Sequence, residues 1–129
     1  MITTVNRKAQ THFETPGGNT TTPLAFPALG AKEVFVVHQT QEPGGTNPMH
    51  VKSSEAFVVV LAGTVDVVSA TETVSLAEGD AALISPQIAH QLRTTGDTSA
   101  QWLVITPAGV EYATPAGQRI EPIWARAER

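Results

Sequence analysis

The sequence contains no cysteine and few basic residues. With no cysteine among 129 residues, disulfides and thiolate ligands are excluded, so a bound metal ion would have to be held by nitrogen and oxygen atoms. Eight Lys and Arg stand against twelve Asp and Glu, which gives a net charge of -4. Proteins that bind DNA or RNA usually carry a basic patch, so neither nucleic acid is an expected partner.

Long apolar segments are missing as well. The sequence contains no run of 18 apolar residues, the length that a membrane-spanning helix needs. The first residues, MITTVNRKAQ, have no apolar core of the kind that a secretory signal needs. We therefore expect a cytoplasmic protein that does not associate with a membrane. With 41% hydrophobic residues, a single domain over residues 1–129 can still bury a core.

The sequence does contain many short segments of β-forming residues, separated by Gly, Pro, Asn and Asp. Helical periodicity never lasts a dozen residues, so a sheet with crossover helices is not expected. The pattern predicts an all-β sandwich or barrel. The predicted strands are EVFVVHQTQ (33–41), AFVVVLAGTVDVVSA (56–70), TVSLA (73–77), AALIS (81–85), AHQLRT (89–94) and AQWLVIT (100–106).

The domain divides into three sections. Residues 31–113 are predicted to form the barrel core, and within them residues 63–80 read as a hairpin whose first bend is permitted by Gly63. Residues 1–30 include ETPGGNTTTPLAFPALG, which has too many Pro, Gly and Thr for a regular element. We expect this section to be extended and to wrap the sheet edge or reach a partner subunit. Residues 114–129 are predicted to be an extended tail.

Two stretches that contain histidine resemble the signature motifs of a known family. PGGTNPMHVKSSEAFVVVLAG (43–63) resembles the first motif of the cupins, and GDAALISPQIAHQLRTTGD (79–97) resembles the second. The chain is thus similar to small single-domain cupins of the RmlC-like superfamily. The resemblance implies a double-stranded β-helix, the cupin jelly-roll barrel, which is commonly dimeric and has a ligand pocket inside. The matching residues are Gly44, His50, Gly63, Gly79, Asp80 and His90.

The metal-binding motifs are degenerate. The first cupin motif has a second histidine where this chain has Lys52, and a glutamate where it has Ala56, although Glu55 lies one place earlier. Two of the four ligands that the resemblance implies, His50 and His90, are therefore retained. The remaining departures lie in the second motif, where Thr94 takes the position of an asparagine and a Pro-x-Gly turn would fall on Ser85 and Gln87.

His50, His90 and Glu55 are the candidate metal ligands, for a divalent ion such as Zn, Ni, Mn or Fe. Such an ion usually needs three or four protein ligands, so two histidines alone would bind it weakly. Successive strand residues point to opposite faces, so Glu55 joins His50 only if the loop 51–54 changes the alternation. Each histidine also has a plainer interpretation, His50 as a solvated loop residue and His90 as a surface residue that starts a strand.

The other candidate pocket residues are Lys52, Ala56, Thr94 and His38. An inward Lys52 would place an ammonium near the metal position, oppose a divalent cation and favour small anionic ligands. A desolvated lysine could also act as a base or a Schiff-base nucleophile. Alternatively, its flexible stem carries the charge out to solvent. His38 either faces the barrel beside Thr40 or is a half-exposed strand residue.

Two function classes remain open. The first is a small-molecule-binding cupin, its ligand not readable from the sequence, with a degenerate pocket that a divalent metal ion can occupy. The second is a metal-dependent small cupin enzyme of the dioxygenase, isomerase or cyclase type. The low ligand count favours the first class and the two retained histidines favour the second, so the sequence leaves enzyme activity undecided. Because a small barrel has sheet edges and apolar outer-face residues to cover, we expect a homodimer.

Overall fold

The computed structural model describes residues 1–122, and within them the chain forms β-strands and two short 3₁₀ turns but no α-helix. The all-β prediction is confirmed. Of the tail predicted over 114–129, residues 123–129 lie outside the described residues. The strands are β1 (Phe13–Thr15), β2 (Asn19–Ala25), β3 (Val34–Gln41), β4 (Val51–Lys52), β5 (Ala56–Ala62), β6 (Thr64–Ser69), β7 (Thr73–Ala77), β8 (Ala81–Ile84), β9 (His90–Thr94), β10 (Ala100–Pro107), β11 (Tyr112–Ala113) and β12 (Arg119–Ile120), and the 3₁₀ turns are Arg7–Ala9 and Pro27–Leu29.

The strands are arranged in two layers. One layer is a six-stranded antiparallel sheet in the order β1-β2-β3-β10-β5-β8. The other consists of two three-stranded sheets, β7-β6-β9 and β12-β11-β4, which meet where His50 and His90 form a β-bridge. This antiparallel two-layer arrangement is the jelly roll that the sequence resemblance implies, and the fold prediction is confirmed.

The hydrophobic core lies between the layers because strand residues alternate between the two faces of each sheet. On β10, Trp102 and Val104 are buried, whereas Leu103 and Ile105 on the other face are only partly buried. The indole Nε1 of Trp102 donates a hydrogen bond of 2.8 Å to Gln39 Oε1, so the largest core side chain has no unpaired polar atom. The core therefore fills the middle of the barrel.

Residues 13–25 are more regular than the sequence analysis predicted. They form the β1–β2 hairpin, and β2 pairs with β3 from Asn19 opposite Gln41 onwards. The prediction that this stretch is too rich in Pro, Gly and Thr for a regular element is wrong here, because each of these residue types lies at a position of the hairpin that suits it. Gly17 and Gly18 have positive φ in the turn, Pro23 lies where the β2–β3 register shifts, and the threonines are good strand formers.

The predicted hairpin of residues 63–80 is confirmed as β6 paired with β7. Gly63, at the start of this hairpin, has a φ of 76°, a backbone conformation that residues with a Cβ rarely adopt. A Cβ at this position would come within 2.7 Å of Ser99 O, so the close approach of the two chain segments also requires glycine.

The turn between β8 and β9 contains Gln87 in the left-handed region, with a φ of 64°. This is the position at which the cupin motif has glycine. The turn supports the candidate site, because the backbone N–H of Gln87 donates a hydrogen bond of 2.9 Å to the carbonyl oxygen of Lys52. A non-glycine residue in this conformation is strained.

We expect Gln87→Gly to raise the free energy of unfolding by about 0.5–1 kcal/mol, because relief of the left-handed strain exceeds the entropy that glycine adds to the unfolded chain. Urea unfolding at neutral pH measures the change. Ser85→Gly is the matched control, since Ser85 is exposed in the same turn without a positive φ and glycine there should be destabilising. Equal effects of the two substitutions would contradict the assignment of strain to Gln87.

Candidate functional site

His50 and His90 lie directly opposite each other. The backbone N–H of each donates a hydrogen bond of 3.0 Å to the carbonyl oxygen of the other, as in an antiparallel hydrogen-bonded pair. Directly paired residues project their side chains from the same face. The two imidazole rings accordingly lie 4.5 Å apart between centroids, at an angle of 51°. The structure thus brings together the two histidines that the sequence motifs indicate.

The second nitrogen of each imidazole is also defined. His50 Nδ1 lies 2.9 Å from Pro48 O, and His90 Nδ1 lies 2.8 Å from Ile88 O. A carbonyl oxygen can only accept a hydrogen bond, so each Nδ1 carries the proton. Each Nε2 therefore presents a lone pair to whatever lies in front of it.

The group in front of both lone pairs is the ammonium of Lys52. Its Nζ lies 2.9 Å from His50 Nε2 and 3.4 Å from His90 Nε2, within a side chain that is only 6% exposed. Lys52 follows His50 by two residues in the extended chain, so both side chains point to the same face. The alternative that Lys52 extends into solvent is wrong. Nζ also lies 5.5 Å from the ring centroid of Tyr112, in the range of a cation–π interaction.

Lys52 has no acidic partner in residues 1–122, where the one ion pair joins Arg93 to Asp66. Burial lowers the pKa of Lys52 to about 8. Burial, and then the charge of Lys52, lowers the pKa of His90 to about 4, and the same two causes with a smaller one from His90 lower that of His50 to about 3. At neutral pH the site therefore consists of two neutral imidazoles that accept hydrogen bonds from one ammonium.

The structure does not bring Glu55 to the histidines. Its side chain is exposed in the turn before β5, and no group of three His, Asp or Glu that could hold a metal ion is found within residues 1–122. The alternation of the strand therefore persists, and the loop 51–54 does not turn Glu55 inward.

The remaining predicted pocket residues have other roles. Ala56 is buried in the hydrophobic core on the inner face of β5. Thr94 also faces inward, but its backbone N–H and its hydroxyl both donate to Gln41 Oε1, at 2.7 and 2.6 Å. Gln41 donates in turn to Asn19 Oδ1 and to Leu92 O. Thr94 thus belongs to a hydrogen-bonded network that links the two layers.

The structure does not bring His38 to the site. It is buried, but it lies on the face of β3 opposite to that of Val37 and Gln39, and its Nε2 is 3.2 Å from Gln101 Oε1. Burial, and then the charge of Arg7, lowers its pKa. His38 is therefore covered from the outside of the six-stranded sheet rather than from the barrel interior.

One side chain near the site, Tyr112, was not among the candidate residues. The ring of Tyr112 lies 6.3 Å from that of His50, because Tyr112 pairs with Lys52 between β11 and β4. No motif marks Tyr112, since only the pairing of distant strands places it here.

Two cavities adjoin Tyr112. One, of about 300 Å³, is lined by Phe35, Glu111, Tyr112 and Arg119 among others. The second, of about 340 Å³, lies beside Val51 and shares Glu111, Tyr112 and Arg119 with the first. His50, Lys52 and His90 do not line either cavity. Tyr112 therefore stands between the buried ammonium and the space that a ligand could occupy.

The residues present do not fit a divalent metal ion. Imidazole Nε2 atoms are suitable metal ligands, but the site has only two of them. The third group at this position is the ammonium of Lys52, which has no lone pair and cannot bind a metal ion. Its positive charge would also repel the ion. The donor set therefore lacks both the number and the charge that such an ion requires.

The geometry of the fold and the two paired motif histidines agree with the result of the family comparison. The family model described as a cupin domain matches residues 37–106, more than half of the chain. The chain belongs to the cupin family. A search of curated proteins finds no match to this cupin.

Solved structures with the same fold are distant in sequence. The polyketide cyclase RemF from Streptomyces resistomycificus matches with a TM-score of 0.75 at 23% identity, over 85% of this chain and 82% of that one. A sugar phosphate isomerase of the cupin superfamily from Silicibacter pomeroyi matches with a TM-score of 0.69 at 19% identity, over 86% and 80%. An RmlC-like cupin from Shewanella frigidimarina has a TM-score of 0.68 at 17% identity, over 79% and 86%. At these identities the likeness establishes the cupin fold alone.

Proposed function

We propose that this cupin binds a small organic anion at the end of the barrel that contains Lys52 and Tyr112. The observation that carries the proposal is the buried ammonium of Lys52, which has no acidic partner within residues 1–122. A buried charge is costly unless it is paired, and an anionic ligand would supply the missing countercharge. The site in this proposal binds its ligand without a metal ion.

The surroundings of Lys52 support a ligand of small size. The cavity of about 300 Å³ beside Tyr112 is at the lower limit of volumes that hold small-molecule ligands. Arg119 lines both cavities and offers a guanidinium to an anion, in a lining that also includes Glu111 at both cavities and Glu121 at the first.

The alternative is a metal-dependent enzyme of the dioxygenase, isomerase or cyclase type. In its favour, two imidazole Nε2 atoms point to one position. Against it, Lys52 occupies that position and Glu55 points away from it. An enzyme of this type would need a further ligand and a displaced lysine before metal chemistry could begin.

We expect Lys52→Met to weaken anion binding at least about tenfold, because it removes the ammonium while keeping most of the stem volume. Calorimetric titration with acetate, malonate and inorganic phosphate at pH 7 measures the affinity. Lys32→Met is the control, since Lys32 is an exposed lysine on the same chain. Because the pKa of Lys52 is about 8, affinity should also fall as the pH rises above 8. Equal affinities of Lys52→Met and the parent protein would contradict the proposal.

We further propose that the chain forms a homodimer through the outer face of the six-stranded sheet. On β5 and β8 this face carries exposed apolar side chains, with Leu83 62% and Phe57 41% accessible to solvent. On β10, Leu103 and Ile105 of the same face are partly exposed. Exposed apolar patches of this kind usually mark an interface. The first residues of the chain, which include the exposed Met1 and Ile2, could extend onto the partner.

A further inference from the structure

We infer that the ammonium of Lys52 takes the place of a divalent metal ion between His50 and His90. The cationic Nζ is held by the two lone pairs that would otherwise bind a metal. This inference concerns the same side chains as the proposed anion site, but it does not depend on whether an anion binds there.

The Nε2 atoms of His50 and His90 are directed at one point, as two ligands of the same metal ion would be. Both Nδ1 atoms donate to backbone carbonyl oxygens, which holds the rings with Nε2 turned inward. The ring orientation therefore does not rely on Lys52. Because the backbones of the two histidines are hydrogen-bonded to each other in both directions, their separation is also independent of the lysine.

The position of Nζ excludes a metal ion on two grounds. A metal ion bound to imidazole lies about 2.0–2.1 Å from nitrogen, so an ion shared by these two rings would have to occupy the space that Nζ fills at 2.9 and 3.4 Å from the Nε2 atoms. An ammonium that moved only slightly would remain next to a doubly charged ion, with strong repulsion in a buried site. Both obstacles disappear when the lysine side chain is removed.

The experiment compares metal affinity in the parent protein, Lys52→Ala and Lys52→His, each purified without a nickel column and freed of metal with a chelator. Zn²⁺ affinity is measured by calorimetry, and Co²⁺ absorption reports whether nitrogen ligands bind the ion. We expect weak binding in the parent, at least about tenfold tighter binding in Lys52→Ala and a larger gain in Lys52→His, which adds a third imidazole. Lys32→Ala, which removes an exposed lysine, should bind no better than the parent.

A second substitution identifies the binding residues. Adding His50→Ala to Lys52→His should abolish the gain and the Co²⁺ spectrum of nitrogen ligation. Circular dichroism first confirms that each variant is folded, and if Lys52→His does not fold, the comparison of Lys52→Ala with Lys52→Ala/His50→Ala decides. The inference is overturned if the parent binds Zn²⁺ through His50 as tightly as the variants do, or if the folded variants show no gain. Neither outcome changes the anion titration that tests the proposed function.

Discussion

Lowering the pH from 7 to about 4.5 should reduce the free energy of unfolding by roughly 5 kcal/mol through His50 and His90 alone. Burial lowers the pKa of His50 to about 3 and that of His90 to about 4, whereas the ordinary value is 6.5. Between the folded and the unfolded pKa values the unfolded chain binds more protons, so stability falls as the pH falls. The contribution is complete above pH 6.5 and is lost progressively below it.

Lys52 produces a second rise in stability at higher pH. Its pKa in the folded protein is about 8, against an ordinary value of 10.5, so the unfolded chain again binds more protons between these two values. Stability should therefore increase as the pH rises from 8 towards 10.5, by up to about 3 kcal/mol. A protein held together mainly by ion pairs would lose stability in this range instead.

Urea unfolding at fixed protein concentration across these two pH ranges provides the measurement. The double variant His50→Gln/His90→Gln should lose most of the acid-range slope, and Lys52→Met should lose the alkaline rise. His12→Gln serves as the control, because the side chain of His12 is exposed and hydrogen-bonded only to Thr22 among the contacts of the described chain. If His50→Gln/His90→Gln retains the full acid-range slope, the two imidazoles are not the groups responsible.

The strands and the histidine pair could be predicted because they depend on local signals. Alternating β-forming segments end at turn residues, and motif spacing alone was enough to place His50 and His90 in one site. Gly63 could also be explained from sequence, since a bend before a hairpin is a local requirement. These features need no knowledge of which distant strands lie side by side.

The direction of Lys52 and the position of His38 could not be read in the same way. The stretch from Val34 to Val37 is apolar at every position, so β3 has no visible alternation and the sequence does not show which face His38 takes. The burial of Lys52 depends on β11, which lies sixty residues later in the chain and brings Tyr112 against it. In both cases long-range pairing, rather than local pattern, decides burial.

The proposed dimer should dissociate when a charge is placed on its apolar face. Across four adjacent strands of the six-stranded sheet, one row of paired residues consists of Val36, Ile105, Phe57 and Leu83. All four side chains are apolar and lie on the face opposite the core. A second copy of the same face is a suitable partner, because a two-fold axis pairs apolar rows with each other and no like charges are opposed.

We expect the parent protein to have twice the chain mass of 13.6 kDa in light scattering at micromolar concentration, and Leu83→Asp to weaken the dimer at least about a hundredfold, because an uncompensated carboxylate would be buried at the interface. Thr73→Asp is the control, since Thr73 is an exposed strand residue on the outer face of β7, in the other layer. It should remain dimeric. A parent protein of monomer mass would exclude the dimer. Dissociation by Thr73→Asp but not by Leu83→Asp would instead move the interface to the opposite layer, because each substitution places its charge on one outer face only.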